Sequence, residues 1–325
     1  MKPKHVFHLL KTTVTEWQAH KASRLAAALA YYTLLSIAPL IVLVVAITGL
    51  VFGDDAARGD VAAQLRGVMG PEAGQAIEAI VANANAPREG LVGTLIGIGV
   101  LLFGASWVFA ELQDSMNTIW EVTPKPGRGL KGIVKDRFFS FTMVLGVAFL
   151  LLVSLVLSTV LSAIGDRLAS ALPGGEAVWH VVNFAVSFGV ITLLFALMYK
   201  VIPDVKIQWS DVWVGAVVTA LLFTLGKYGI GIYLGNASVA SPYGAAGSVV
   251  VLVVWVYYSA QILFFGAEFT QVYTKMYGTR VVPDDDAVAL TNAEKLHQGI
   301  VRDEDRDEAA KRPSRPLGPP APRAS

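Results

Sequence analysis

The chain contains no cysteine. That excludes disulfides, cysteine-ligated zinc, iron–sulfur clusters and thiol catalysis. Charge is scarce too. Only 16% of the 325 residues are charged, against about 25% in a typical soluble domain. Five histidines occur, His5, His8, His20, His180 and His297, and no H-x-H-x-D-H run gathers them. A nuclease that holds two divalent ions needs several His, Asp or Glu ligands close together. Each histidine is therefore read as an ordinary surface or interface residue. There is no G-x-x-x-x-G-K-[ST] loop for a nucleotide. "GRGLKG" at 127–132 is too short and is not framed by a strand. The basic stretch 125–137 has no accompanying aromatic platform on which bases could stack. The sequence gives no reason to expect a catalytic residue, a metal, a cofactor or a nucleic-acid partner, and the chain reads as a non-enzyme.

What the chain has is apolar length. Hydrophobic residues make up 54% of it, and the mean hydropathy is +0.55. The apolar residues fall into six blocks, near 25–52, 91–118, 138–164, 177–201, 211–235 and 248–272. Each exceeds the roughly 20 residues a helix needs to cross a bilayer. All are far too long for barrel strands of about 10 residues. Helices satisfy their own backbone in lipid, so the expected fold is an all-α integral membrane protein with six transmembrane helices. The first block lacks a small-residue cleavage site and reads as a retained span, not a signal peptide.

Lysine and arginine give the orientation. Segments 1–24, 119–137, 199–210 and the tail from 273 hold 21 of the 26, and the opposite connections hold four. The positive-inside rule places both termini in the cytoplasm. Within 1–24, Phe7, Leu10, Val14 and Trp17 recur at helical spacing beside Lys4, Lys11 and Lys21. That pattern suits an amphipathic helix on the inner membrane surface, or one packed on the protein's own cytoplasmic side. Residues 54–90 read as an external helical segment broken near "MGPE" at 69–72. Residues 273–325, charged and proline-rich toward the end, read as a mostly disordered cytoplasmic tail.

Polar residues inside the apolar blocks are the candidates for function, because lipid makes them costly. Lys227 lies eight residues from the external end of the fifth block, about 12 Å deep at 1.5 Å per residue. Asn183, Tyr257 and Tyr258 fall at a comparable depth and offer hydrogen-bond acceptors. The lysine either faces a cavity that attracts an anionic group or snorkels to headgroups. Tyr31, Tyr32 and Ser36 precede Pro39, which should bend the first helix and free a carbonyl. A second layer lies near the cytoplasmic ends: Arg24, Glu111, Asp114, Asn117 and Glu268. Pairing Arg24 with a carboxylate would lower the cost of both charges. The layer reads as an ion-pair lock on packing or as a gate.

Three stretches carry a family resemblance. They are "LAAALAYYTLLSIAPLIV" at 25–42, "ASWVFAELQDSMNTIWEV" at 105–122 and "LGKYGIGIYLGNASVASPYGAAGSVVVLVVWVYYSAQILFFGAEFTQVY" at 225–273. Together they resemble the YihY / virulence factor BrkB family of bacterial inner-membrane proteins. The resemblance implies six spans and residence in the bacterial inner membrane. The family carries an older ribonuclease BN-like label and a suggestion of envelope-related transport. Three functions follow as expectations: a transporter or flippase for an anionic or lipid-linked envelope molecule, a non-transporting scaffold among membrane lipids, and the disfavoured ribonuclease.

Overall fold

The computed structural model describes residues 3–52, 90–126, 175–236, 247–278 and 281–300, with single positions 59, 63, 66 and 302. The expected third span at 138–164, nearly all of the external segment 54–90 and the final 303–325 lie outside the described residues.

Helix α1, Pro3–Ala19, and helix α2, Ala22–Phe52, are separated by a turn at His20 and Lys21. Lys21 takes φ 54, the left-handed conformation that ends one helix before the next begins. Helix α3 is Gly90–Ile119, α4 Gly175–Val201, α5 Trp209–Asn236 and α6 Gly247–Tyr277. Four of these helices contain segments long and apolar enough to cross a membrane: Ala22–Val42, Phe184–Val201, Trp209–Tyr233 and Val249–Tyr277. Only 22–39% of those windows is buried inside the protein, so most of their apolar surface faces outward. A water-soluble bundle would turn that surface inward; a bundle in lipid need not.

The helices stand side by side. α4 packs on α5, α5 on α6, α6 on α2, and α2 on α3, while α1 lies against α6. The α5–α6 crossing is close. A Cβ on Gly215 would overlap the Thr270 hydroxyl, and one on Gly266 would overlap Thr219 and the Tyr199 hydroxyl. Each glycine thus receives a threonine from the facing helix, and small residues let the backbones approach. Tyr199 donates its hydroxyl proton to the Leu263 carbonyl at 2.8 Å and meets Thr219 at 2.9 Å. At the α2–α3 seam, Ser36 donates to the Gly104 carbonyl at 2.8 Å and the Pro39 ring rests on Gly104. α2 runs through Pro39 as one helix.

One end of the bundle carries the start of α2, the ends of α3, α4 and α6, and the start of α5. The main core lies there, with Met116, Ile119, Tyr199, Val212 and Phe264 buried together. Two small antiparallel pairs cover this end. Strand β1, Val122–Pro124, and strand β2, Val205–Lys206, follow α3 and α4. Strand β3, Val282–Pro283, pairs with β2, and strand β4, Ala287–Ala289, pairs with β1. Helix α7, Asn292–Gln298, starts with a Thr291–Glu294 capping box and ends at Gly299 with φ 73.

These elements correct the expectation of a mostly disordered tail from 273. α6 continues to Tyr277, and 281–300 folds back onto the bundle. The charge of the distal residues masked a local apolar pattern whose Ala287, Leu290 and Ile300 are buried. α1, read as surface-bound, buries Leu9 and Thr13 against α6 and leaves Val6, Phe7, Leu10 and Val14 exposed.

Candidate functional site at the charged end

Glu16 and His20 are four residues apart on one face of α1 and its terminal turn, so their side chains converge. His20 is 2% exposed. Its Nδ1 lies 2.8 Å from Glu268 Oε1 on α6, and its Nε2 lies 3.5 Å from Glu121 Oε1. Glu121 sits just past α3 with φ 54, a left-handed conformation unusual for glutamate. Its carboxylate also receives Lys295 from α7, Arg302 and, at 3.6 Å, Lys275 from α6. Arg302 grips Glu16 with a fork, Nε to Oε1 at 3.1 Å and Nη2 to Oε2 at 2.9 Å. Such bidentate pairs fix geometry as well as charge.

The electrostatics follow from the contacts. Burial alone would pull the His20 imidazole down, but Glu121 and Glu268 outweigh it and hold the group at about 9. His20 is therefore cationic at neutral pH. Burial alone would raise the Glu121 carboxyl, yet His20, Lys275, Lys295 and Arg302 hold it well below the usual carboxylate range. For Glu16, burial is likewise overcome by Arg302, and the pKa is lowered.

A ligand atom from each of Glu16, His20 and Glu121 lies within 4.8 Å of the other two, a spacing a metal ion would accept. The donors do not fit one. Glu268 already holds the imidazole at Nδ1, and the two carboxylates already face a guanidinium and two ammonium groups. The set suits a guanidinium. Beside it, a cavity of about 460 Å³ opens among Trp120, Glu121, Val205, Lys275, Leu290 and Lys295.

The reading of His20 as an ordinary surface or interface histidine is corrected: it is the buried centre of the cluster. The expected Arg24–carboxylate pair does not form. Arg24 is exposed and, among the described residues, makes no ion pair with Glu111, Asp114 or Glu268. Glu268 takes His20 because the α1–α2 turn inserts that ring between α3 and α6. Asn117 instead joins α3 to the chain after α4. Its Nδ2 donates to Asp204 Oδ2 at 2.8 Å, and its Oδ1 accepts from the Asp204 N–H at 2.8 Å. Glu111 is half-buried and Asp114 exposed on α3.

The second set of candidate residues separates by depth. Lys227 is half-buried, its Nζ 5.8 Å from the Tyr228 ring centre. The Tyr258 hydroxyl sits against Gly226 of the same helix, and Tyr257 is exposed on α6. Asn183 lies on α4, with its side chain outside the described residues. Tyr32 instead stacks on Trp107 of α3 at 6.1 Å and meets Tyr31 edge-on at 5.6 Å. From their helix starts, Tyr31 is about 14 Å and Lys227 about 27 Å from the charged end. By that rise Tyr31 and Tyr32 lie about two helical turns nearer the charged end than Lys227.

A family model described as "Virulence factor BrkB" matches residues 13–290. The chain belongs to the BrkB family. A "UPF0761 membrane protein" of Pseudoalteromonas atlantica is 30% identical over 250 residues, 75% of this chain and 78% of that one. One of Aeromonas salmonicida is 30% identical over 277 residues, 81% and 88% of the two chains. One of Tolumonas auensis is 34% identical over 182 residues, 54% and 56% of the two chains. No solved structure matches the chain. The BrkB match takes in Glu16, His20, Glu121, Glu268 and Lys275 but ends before Lys295 and Arg302. The chain is a membrane protein of BrkB type, mostly helical in its described residues.

Proposed function

We propose that the protein is a six-span bacterial inner-membrane protein, with both termini in the cytoplasm, that moves an anionic or lipid-linked amphipathic envelope molecule across the bilayer. Lys227 carries this reading. It is half-buried within the apolar segment Trp209–Tyr233. An ionisable residue within a membrane span is costly and by default marks a functional site. Its ammonium is complementary to an anionic group passing along the span. The described helices on either side of 127–174 meet that segment at opposite ends of the bundle, as a third crossing over 138–164 requires. The 21-to-4 bias in lysine and arginine supports the orientation. In this reading the chain does no chemistry, and the charged cluster locks the cytoplasmic end. A non-transporting scaffold is the reading it must beat.

The test is lipid exchange in vesicles of purified protein. Fluorescent phosphatidylglycerol is quenched from outside by an impermeant reductant. Wild type should let nearly all the probe be quenched, against the outer leaflet alone in protein-free vesicles. Lys227→Gln should fall to the protein-free level, and Lys227→Arg should retain exchange. Folded wild type that exchanges neither this probe nor a lipid-linked one, or a fully active Lys227→Gln, contradicts the proposal.

A further inference from the structure

The cavity at the charged end has an uneven charge balance. Its charged wall is Glu121, Lys275 and Lys295, one carboxylate against two ammonium groups. Glu121 is shared still further, with Arg302 and His20. Lys275 keeps the weakest share, a 3.6 Å contact with its side chain 49% exposed. Apart from Thr274 the remaining wall is mostly apolar, and Trp120, Val122, Val205 and Leu290 in it are buried residues. Trp120 also holds a buried indole N–H that has no acceptor. A donor left so is costly. At about 460 Å³ the cavity falls in the range of small-molecule sites, about 300–1,000 Å³.

Surplus positive charge set in apolar walls is complementary to a singly charged organic anion. We propose that this cavity binds an organic phosphodiester, its anionic oxygens at Lys275 and Lys295 and its apolar substituent against Trp120 and Leu290. A phosphodiester carries one negative charge, which suits a wall where two ammonium groups meet one carboxylate; lysine meets phosphate as a point charge without needing a fixed fork. Two sources share that chemistry: the headgroup of an anionic lipid and a soluble phosphodiester. The site stands apart from Lys227 and does not depend on transport.

The experiment uses the full chain in phosphatidylcholine nanodiscs, titrated calorimetrically with diphenyl phosphate. Saturable binding is expected. Lys275→Gln, at a half-exposed position, should weaken it at least tenfold, while Lys275→Arg restores it and Lys4→Gln on exposed α1 leaves it unchanged. A second arm adds phosphatidylglycerol to the discs. Loss of diphenyl phosphate binding there, with a raised unfolding midpoint in wild type but not in Lys275→Gln, identifies the lipid headgroup as occupant. Unchanged binding there identifies a soluble ligand. The inference is overturned if neither arm shows saturable binding, if folded Lys275→Gln binds as wild type does, or if uncharged diphenylmethanol binds equally well. Lipid exchange through Lys227 is read separately, so failure of one proposal leaves the other standing.

Discussion

His20 shows how a single side chain can organise an end of a bundle. Its ring is closed in by Glu268 on α6 and Glu121 after α3, with Glu16 one turn back and Lys275 and Arg302 around the two acids. Its pKa is raised from 6.5 to about 9. A raised value means that the charged form is stabilised by folding. That contribution is complete below about pH 6.5 and is lost as pH rises through about 9. The thermal unfolding midpoint of wild type should therefore fall across that window. His20→Gln should start lower at about pH 6.5 and change less. Parallel curves for the two proteins would remove His20 from its assigned role. The sequence marks Glu268 as one of a polar layer at that end, but not its partner. His20 and Glu268 are 248 positions apart, and no local spacing announces a contact made by a turn inserted between distant helices. The local signal for His20 was Glu16 and His20 at i and i+4. Lys227 was legible, because one charge in a long apolar run is conspicuous by itself.

At the scale of elements, the long helices were readable because lipid imposes a simple length and composition rule. α5 occupies Trp209–Asn236 where a span was expected at 211–235, and α6 runs from Gly247. The segment 281–302 was not readable in the same way. Its strands are two and three residues long, too short for alternation to register, and they exist only because β1 and β2 supply edges. The glycines that matter are not marked by their spacing. Gly231 has open space around it. The close approach is made at Gly215 and Gly266, each paired with a threonine four residues on. Gly215→Ala and Gly266→Ala should each destabilise the protein by about 1–3 kcal/mol, the usual cost of overpacking. Gly231→Ala should be neutral or slightly stabilising, since alanine is the better helix former. Unfolding midpoints in one lipid would check this, and equal effects at all three positions would contradict the assigned crossing.

For the whole molecule, every functional assignment depends on which end faces the cytoplasm. The proposed topology puts the His20–Glu121–Arg302 cluster and its cavity inside, and Lys227 in the outer half of its span. The absence of native cysteine makes this directly measurable, since any introduced cysteine is the sole thiol. Lys4 on α1 and His297 on α7 are exposed, and Gly59 is exposed in the segment expected outside, with free space at its Cβ. Single Lys4→Cys, His297→Cys and Gly59→Cys proteins can be treated with an impermeant maleimide on intact inner-membrane spheroplasts and again after permeabilisation. With both termini in the cytoplasm, Gly59→Cys should label in intact spheroplasts, and Lys4→Cys and His297→Cys only once the membrane is opened. Labelling of Lys4→Cys or His297→Cys in intact spheroplasts would contradict that topology.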